Sequence, residues 1–184
     1  MSETRTVRAE AVTAPTAESG AGTSTASATE PASATEPGAV RTGGRFGYAD
    51  WRETVLGSEE ARPRMAHASV VNSFRGGIVA PDTTCEYSIV YVDEPTGDDR
   101  VAGATGTFTG MQRFVGQLDG REGSFVVEER GGFDAESTVS CRFEVVSGSG
   151  TGALTGLRGT GEFVARHGER SIAYTFDYTL PTAG

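Results

Sequence analysis

The chain has 184 residues and a formal charge of −9, a length that suits one domain with or without a tail. An acidic protein is poor material for nucleic acid or an anionic membrane face, where phosphate attraction needs clustered cations. All 16 basic residues are arginine, which excludes a Schiff-base lysine, a P-loop lysine and a lysine general base. The 2 histidines and 2 cysteines match no metal-ligand spacing.

Residues 1–44 read as a low-complexity tail. Up to residue 43 there is no aromatic residue, leucine or isoleucine, and Ser27-Ala28-Thr29-Glu30-Pro31 recurs as Ser33-Ala34-Thr35-Glu36-Pro37. Such a segment buries too little apolar surface to offset ordering entropy, so disorder is expected. The alternative is a lid over a binding site, for which Thr4 to Glu18 supplies the few valines and arginines. No apolar run approaches the roughly 20 residues of a membrane helix, and the first thirty residues lack a signal-peptide core. A cytoplasmic location is expected, with Cys85 and Cys141 as reduced, buried thiols rather than a disulfide.

Residues 45–181 read as the β-barrel domain. Candidate strands run in the order Phe46–Val55, Met65–Phe74, Cys85–Val92, Val101–Leu118, Ser124–Arg130, Ser137–Val146, Gly152–Ala165 and Ser171–Leu180. Alternation is clearest in the last, where Ile172, Tyr174, Phe176, Tyr178 and Leu180 share one face. In the sixth, Val139, Cys141, Phe143 and Val145 do so. Eight short strands with tight turns imply an all-β, antiparallel eight-stranded barrel or a sandwich. Glycines inside strands, such as Gly106, Gly110, Gly116, Gly156 and Gly159, favour the barrel, whose tight coiling needs positions without a Cβ.

Few motifs carry chemistry. Gly148-Ser149-Gly150-Thr151-Gly152-Ala153 matches the loose dinucleotide fingerprint, but the next residues, Leu154 to Gly159, are too glycine-rich for the helix that fingerprint needs. It reads as a turn into a kinked strand. The acidic run Asp93 to Asp99 lacks calcium-loop spacing and reads as a hairpin loop. His67 and His167 have no motif-level nucleophile partner, so a hydrolytic triad has no support. His67 reads as a structural histidine or, alternatively, as a pocket residue. On the fourth strand Gly110, Gln112 and Phe114 share a face, and on the fifth Phe125, Val127 and Glu129 do. If these faces point inward, an amide and a carboxyl enter an apolar lumen, where polar groups must be bonded or serve a site. If they point outward, both meet water. Tyr87, Ile89 and Tyr91, with Tyr174, Phe176 and Tyr178, form aromatic stripes that line either a core or a ligand wall.

The run from Gly110 to Val127 and the run from Val145 to Gly159 resemble the allene-oxide-cyclase-like barrels common in actinobacteria. Trp51, Ala68-Ser69-Val70, Phe74 and Gly76 fit the same pattern, and the resemblance covers roughly residues 45–181. The usual pattern has Glu where this chain has Gln112 and His where it has Glu129, so roles at those positions do not transfer. The departures suggest a specialised lumen. Larger relatives with an N-terminal extension include cyclases of spirotetronate and spirotetramate antibiotic pathways, which catalyse an intramolecular [4+2] cycloaddition with the tail closing over the substrate.

The resemblance implies a cofactor-independent, Diels–Alderase-like cyclase of polyketide biosynthesis, with a hydrophobic polyene bound in the lumen. Such a reaction needs no metal, nucleophile or redox cofactor. It needs a near-attack geometry, worth up to roughly 7–11 kcal/mol in favourable cases, and donors to a dienophile carbonyl. Gln112 and Tyr87 are the expected donors, with Glu129 joining if burial keeps it protonated. Trp51, His67, Tyr91, Phe114, Phe125, Tyr174 and Phe176 are the expected substrate wall. A lipocalin-like binder without catalysis is the first alternative, and a filled barrel with a protein-binding tail the second. Apolar outer residues suggest a homodimer.

Overall fold

Alternation of apolar and polar residues becomes a closed sheet in the computed structural model, which describes residues 38–58, 60–93 and 103–181. The expected lid, at residues 1–37, and most of the acidic loop, at residues 94–99, lie outside the described residues. The strands are β1 (Val40–Leu56), β2 (Arg64–Gly76), β3 (Ile78–Asp93), β4 (Thr105–Leu118), β5 (Arg121–Phe133), β6 (Val139–Val145), β7 (Arg158–Ala165) and β8 (Ile172–Thr179). Each pairs antiparallel with the next, and β8 pairs with β1, giving a closed eight-stranded barrel. Among the described residues no helix is long and apolar enough to cross a membrane.

Three boundaries differ most from expectation. β1 starts at Val40 rather than Phe46, because Val40 to Phe46 pair with Tyr178 to Ile172 and make the closing seam. β3 starts at Ile78 rather than Cys85, and its register with β4 is irregular between Val79 and Cys85, where Pro81 lacks an N–H to give the ladder. The glycine-rich run after Gly148 forms a 3₁₀ turn at Gly152–Leu154, and β7 begins only at Arg158. That turn tucks Leu154 and Leu157 under the barrel, where both are fully buried.

The interior divides in two. The half near the turn is packed with rings: Phe46, Phe74, Phe114, Phe125, Phe143, Tyr174 and Phe176 belong to one apolar cluster with Ile78 and Leu118. The other half holds Ala66, Ala68, Val70, Cys85, Tyr87, Ile89 and Tyr91. Here the wall is incomplete. Among the described residues Gly47 to Leu56 of β1 pair only with β2, so this end, the mouth of the barrel, has a free strand edge.

Glycines inside the strands make room for rings. Tyr87 stands opposite Gly110 across the β3–β4 ladder, and its ring lies so close that a Cβ there would sit 2.4 Å from Cδ1. Phe143 covers Gly161 on β7 in the same way. Each ring lies flat against a neighbouring strand because that strand has no side chain at the covered position.

Candidate functional site

β3, β4 and β5 place Tyr87, Gly110 and Glu129 in one row, since Gly110 pairs with Tyr87 on one side and Glu129 on the other. Tyr87 reaches across Gly110, and its hydroxyl donates to Glu129 Oε2 at 2.8 Å. The Cys141 thiol donates to the same oxygen at 3.7 Å, and the Cys85 thiol also acts on the carboxyl's pKa. Glu129 is only 3% exposed. Burial raises its pKa above the ordinary glutamate value, and the donors Tyr87, Cys141 and Cys85 oppose the shift without cancelling it. Burial also pushes Tyr87 and both thiols up, with the Glu129 charge adding to each shift. Both cysteines are free, as expected, and thiols held so far toward their protonated form are poor nucleophiles.

The inward faces of β4 and β5 are therefore those carrying Gln112 and Glu129. Gln112 is buried and its Nε2 donates to the Thr83 hydroxyl. That hydroxyl in turn donates to the Asn72 backbone carbonyl at 3.2 Å.

Around the mouth stand aromatic residues that solvent reaches. Tyr48 lies opposite buried Asn72 on β2, so it faces the lumen, yet it is 51% exposed. Trp51 is 40% exposed and stacks on Tyr87, with centroids 6.2 Å apart. Phe108 meets the Tyr87 ring edge-on at 5.2 Å. At the rim the Arg64 guanidinium lies 3.7 Å over the Tyr91 ring and 3.3 Å from Glu53, which accepts the Tyr91 hydroxyl at 2.9 Å. Burial and the Glu53 charge push Tyr91 up.

The expected residues thus separate. Tyr87, Glu129, Trp51, Tyr91 and Gln112 come together in the open half. Phe114, Phe125, Tyr174 and Phe176 face inward but pack on other rings of the closed half, beneath the site. The Tyr174 hydroxyl accepts the Ile78 N–H at 2.8 Å, a structural bond. His67 does not enter the lumen. Its neighbours Ala66 and Ala68 take the inward positions, and its Nε2 meets Glu86 on the outer face at 3.0 Å. Sequence reading missed Asn72, Thr83, Tyr48 and Phe108. Strand alternation alone could have found Asn72, which shares a face with Val70 and Phe74.

A family profile matches residues 42–178, almost the whole barrel. The chain belongs to the DUF3224 family. That family is described as protein of unknown function. A solved structure of a DUF3224 protein with unknown function from Shewanella oneidensis MR-1 aligns with a TM-score of 0.58. It is 24% identical and the alignment covers 78% of this chain and 99% of that one, a likeness of fold. No curated protein matches. Neither description names a cyclase, so the allene-oxide-cyclase resemblance and the cycloaddition gain no support from them.

In this DUF3224 barrel the raised pKa of Glu129 gives stability a defined pH dependence. The native carboxyl holds its proton to higher pH than an unfolded glutamate, whose pKa is about 4.3. Its contribution is fully present below that value and is lost as pH rises through the native pKa. Glu129→Gln is neutral at every pH. It is expected to flatten the melting curve against pH and to melt above wild type at neutral pH. Parallel wild-type and variant curves from about pH 4 to about pH 8 would show that Glu129 titrates normally.

Proposed function

We propose that this chain is a cofactor-independent enzyme that binds a small, largely apolar substrate at the barrel mouth and isomerises or cyclises it, with Glu129 as proton or hydrogen-bond donor. The observation that carries this reading is the buried Glu129–Tyr87 pair at 2.8 Å beneath an aromatic rim open to solvent. A carboxyl whose pKa burial raises holds its proton to higher pH, and when protonated it donates to a substrate carbonyl and stabilises the charge that develops there. Tyr87, bonded to the same carboxyl, orients it. Trp51, Tyr48 and Phe108 supply flat apolar faces that orient a ring or polyene. An intramolecular [4+2] cycloaddition is the specific reaction that these features suit, since its demands are shape and one donor to a carbonyl.

A second reading is a binding protein for a small hydrophobic metabolite. The ring-packed closed half favours it, because a ligand confined to the open half has less length to fold on itself.

Trp51 is the chain's 1 tryptophan and stands at the site, so its fluorescence reports occupancy. Wild-type protein is titrated with linear polyenes that carry a terminal enone, and products are followed by NMR. The enzyme reading expects a Trp51 response together with product, and a loss of about 100-fold in turnover for Glu129→Gln. A Trp51 response without product supports the binding protein instead. No response across the panel overturns both readings.

A further inference from the structure

Asn72 faces the lumen from β2 and is 4% exposed. Its backbone carbonyl accepts the Thr83 hydroxyl, but its side-chain carboxamide bonds to no described residue. Buried polar groups are nearly always paired, and an unpaired one costs about 1–3 kcal/mol. An orphan amide in the middle of a barrel therefore needs a reason.

Its position supplies one. Asn72 pairs with Tyr48 of the mouth on one side and with Thr83 on the other. Phe74, the next inward residue on β2, already belongs to the ring-packed half. Asn72 thus lies between the two apolar clusters of the interior, with Val70 in one and Phe74 in the other. Beside it, Thr83 spends its proton on the Asn72 carbonyl and so takes an N–H from Gln112. The Gln112 carbonyl oxygen is left without a bond to any described residue. The floor of the open half therefore presents both halves of one amide and the carbonyl of a second.

We infer that Asn72 and Gln112 hold the head group of the ligand, and that this head group is an uncharged amide-type function, a carboxamide, lactam or imide, offering a carbonyl and an N–H side by side. Asn72 Nδ2 donates to the ligand carbonyl. The ligand N–H donates to Asn72 Oδ1 or Gln112 Oε1. A charged head group fits poorly. The arginine at this rim, Arg64, is engaged by Glu53 and Tyr91. An anion on the floor would thus be buried without a countercharge, and a cation would find only Glu129, whose carboxyl already accepts from Tyr87 and Cys141. The inference rests on the mouth being a ligand site and adds the class of ligand.

The test uses the full chain with four probes: cyclohexanecarboxamide, cyclohexyl methyl ketone, cyclohexanecarboxylate and cyclohexylammonium. Binding is read by Trp51 fluorescence and by the Asn72 side-chain NH₂ signals in ¹⁵N NMR. The carboxamide is expected to shift the Asn72 signals and to bind at least about tenfold tighter than either ion. Asn72→Leu is expected to lose that preference while melting as high as wild type or higher, since an apolar side chain of similar size replaces an unpaired amide. If all four probes bind alike and Asn72→Leu changes nothing, the mouth stands and the head-group assignment falls. If Asn72→Leu melts well below wild type, the amide is already satisfied in the free protein, and the inference is overturned. If no probe moves Trp51, the mouth itself is not a ligand site and both readings fail.

Discussion

Phe176→Ala is expected to lower the stability of the barrel by about 3–5 kcal/mol, the range for truncating a buried ring. Phe176 is 0% exposed. Its ring stacks on Phe125 at 6.2 Å, Phe143 at 5.7 Å and Tyr178 at 5.6 Å. The strand beside it offers nothing to fill the hole, because Phe176 pairs with Gly161 and its ring covers Gly159. Collapse would have to come from backbone movement in a closed sheet, so the upper part of the range is expected. Urea unfolding measures it through a lower midpoint at unchanged slope. A loss under about 1 kcal/mol, far below that range, would mean that the rings do not pack and the closed half is available to ligand. The function would then change too, since a long polyene could reach past Asn72 to the bottom of the barrel.

The fold was legible because β6 and β8 alternate without interruption. Val139, Cys141, Phe143 and Val145 on one strand and Ile172, Tyr174, Phe176 and Tyr178 on the other do face the core. The glycines were read as a sign of coiling, and their positions opposite rings gave the finer reason. Alternation defines two faces but does not say which is inside, so Gln112 and Glu129 needed the closed sheet to be placed. On β2 the choice was harder still. Ala66 and Ala68 are less apolar-looking than Met65, yet they face inward, and Met65 and His67 face out. The bulk that fills the lumen there comes from other strands, Trp51 and Tyr87 among them.

Trp51 itself depends on a bulge. β1 slips in register between Ala49 and Arg52, with Asp50 at φ 54°, a left-handed conformation that aspartate tolerates better than most residues. Phe46 and Tyr48 lie on the lumen face before the slip, and Trp51 and Glu53 after it. Without the extra residue Trp51 would have pointed outward with Arg45 and Gly47. A seam hidden in Val40-Arg41-Thr42-Gly43-Gly44 escaped notice for a similar reason. Its residues have little apolar content, and they are held by backbone pairing with β8 and by the Arg41–Asp177 pair at 2.7 Å. That ion pair is exposed and worth little by itself.

Gly110→Val is expected to cost about 3 kcal/mol or more, at or beyond the upper end of overpacking penalties, and to break the proposed site at the same stroke. A Cβ at Gly110 would lie 2.4 Å from Tyr87 Cδ1 and 2.8 Å from the Glu86 carbonyl oxygen. The carbonyl belongs to the ladder and cannot yield, so the Tyr87 ring must swing away and its hydroxyl must leave Glu129. The burial of Glu129 would then act with one fewer opposing donor, raising its pKa further and carrying the pH-linked loss of stability to higher pH. The decisive comparison is a double-mutant cycle with Tyr87→Ala, which removes the obstructing ring. The two changes together should cost at least about 1 kcal/mol less than the sum of the singles, a coupling expected only of residues in contact. Additive costs would mean that the ring does not lie over Gly110. Tyr87 would then have another way to reach Glu129, and the row Tyr87–Gly110–Glu129 would no longer explain why a glycine stands at the centre of the lumen wall.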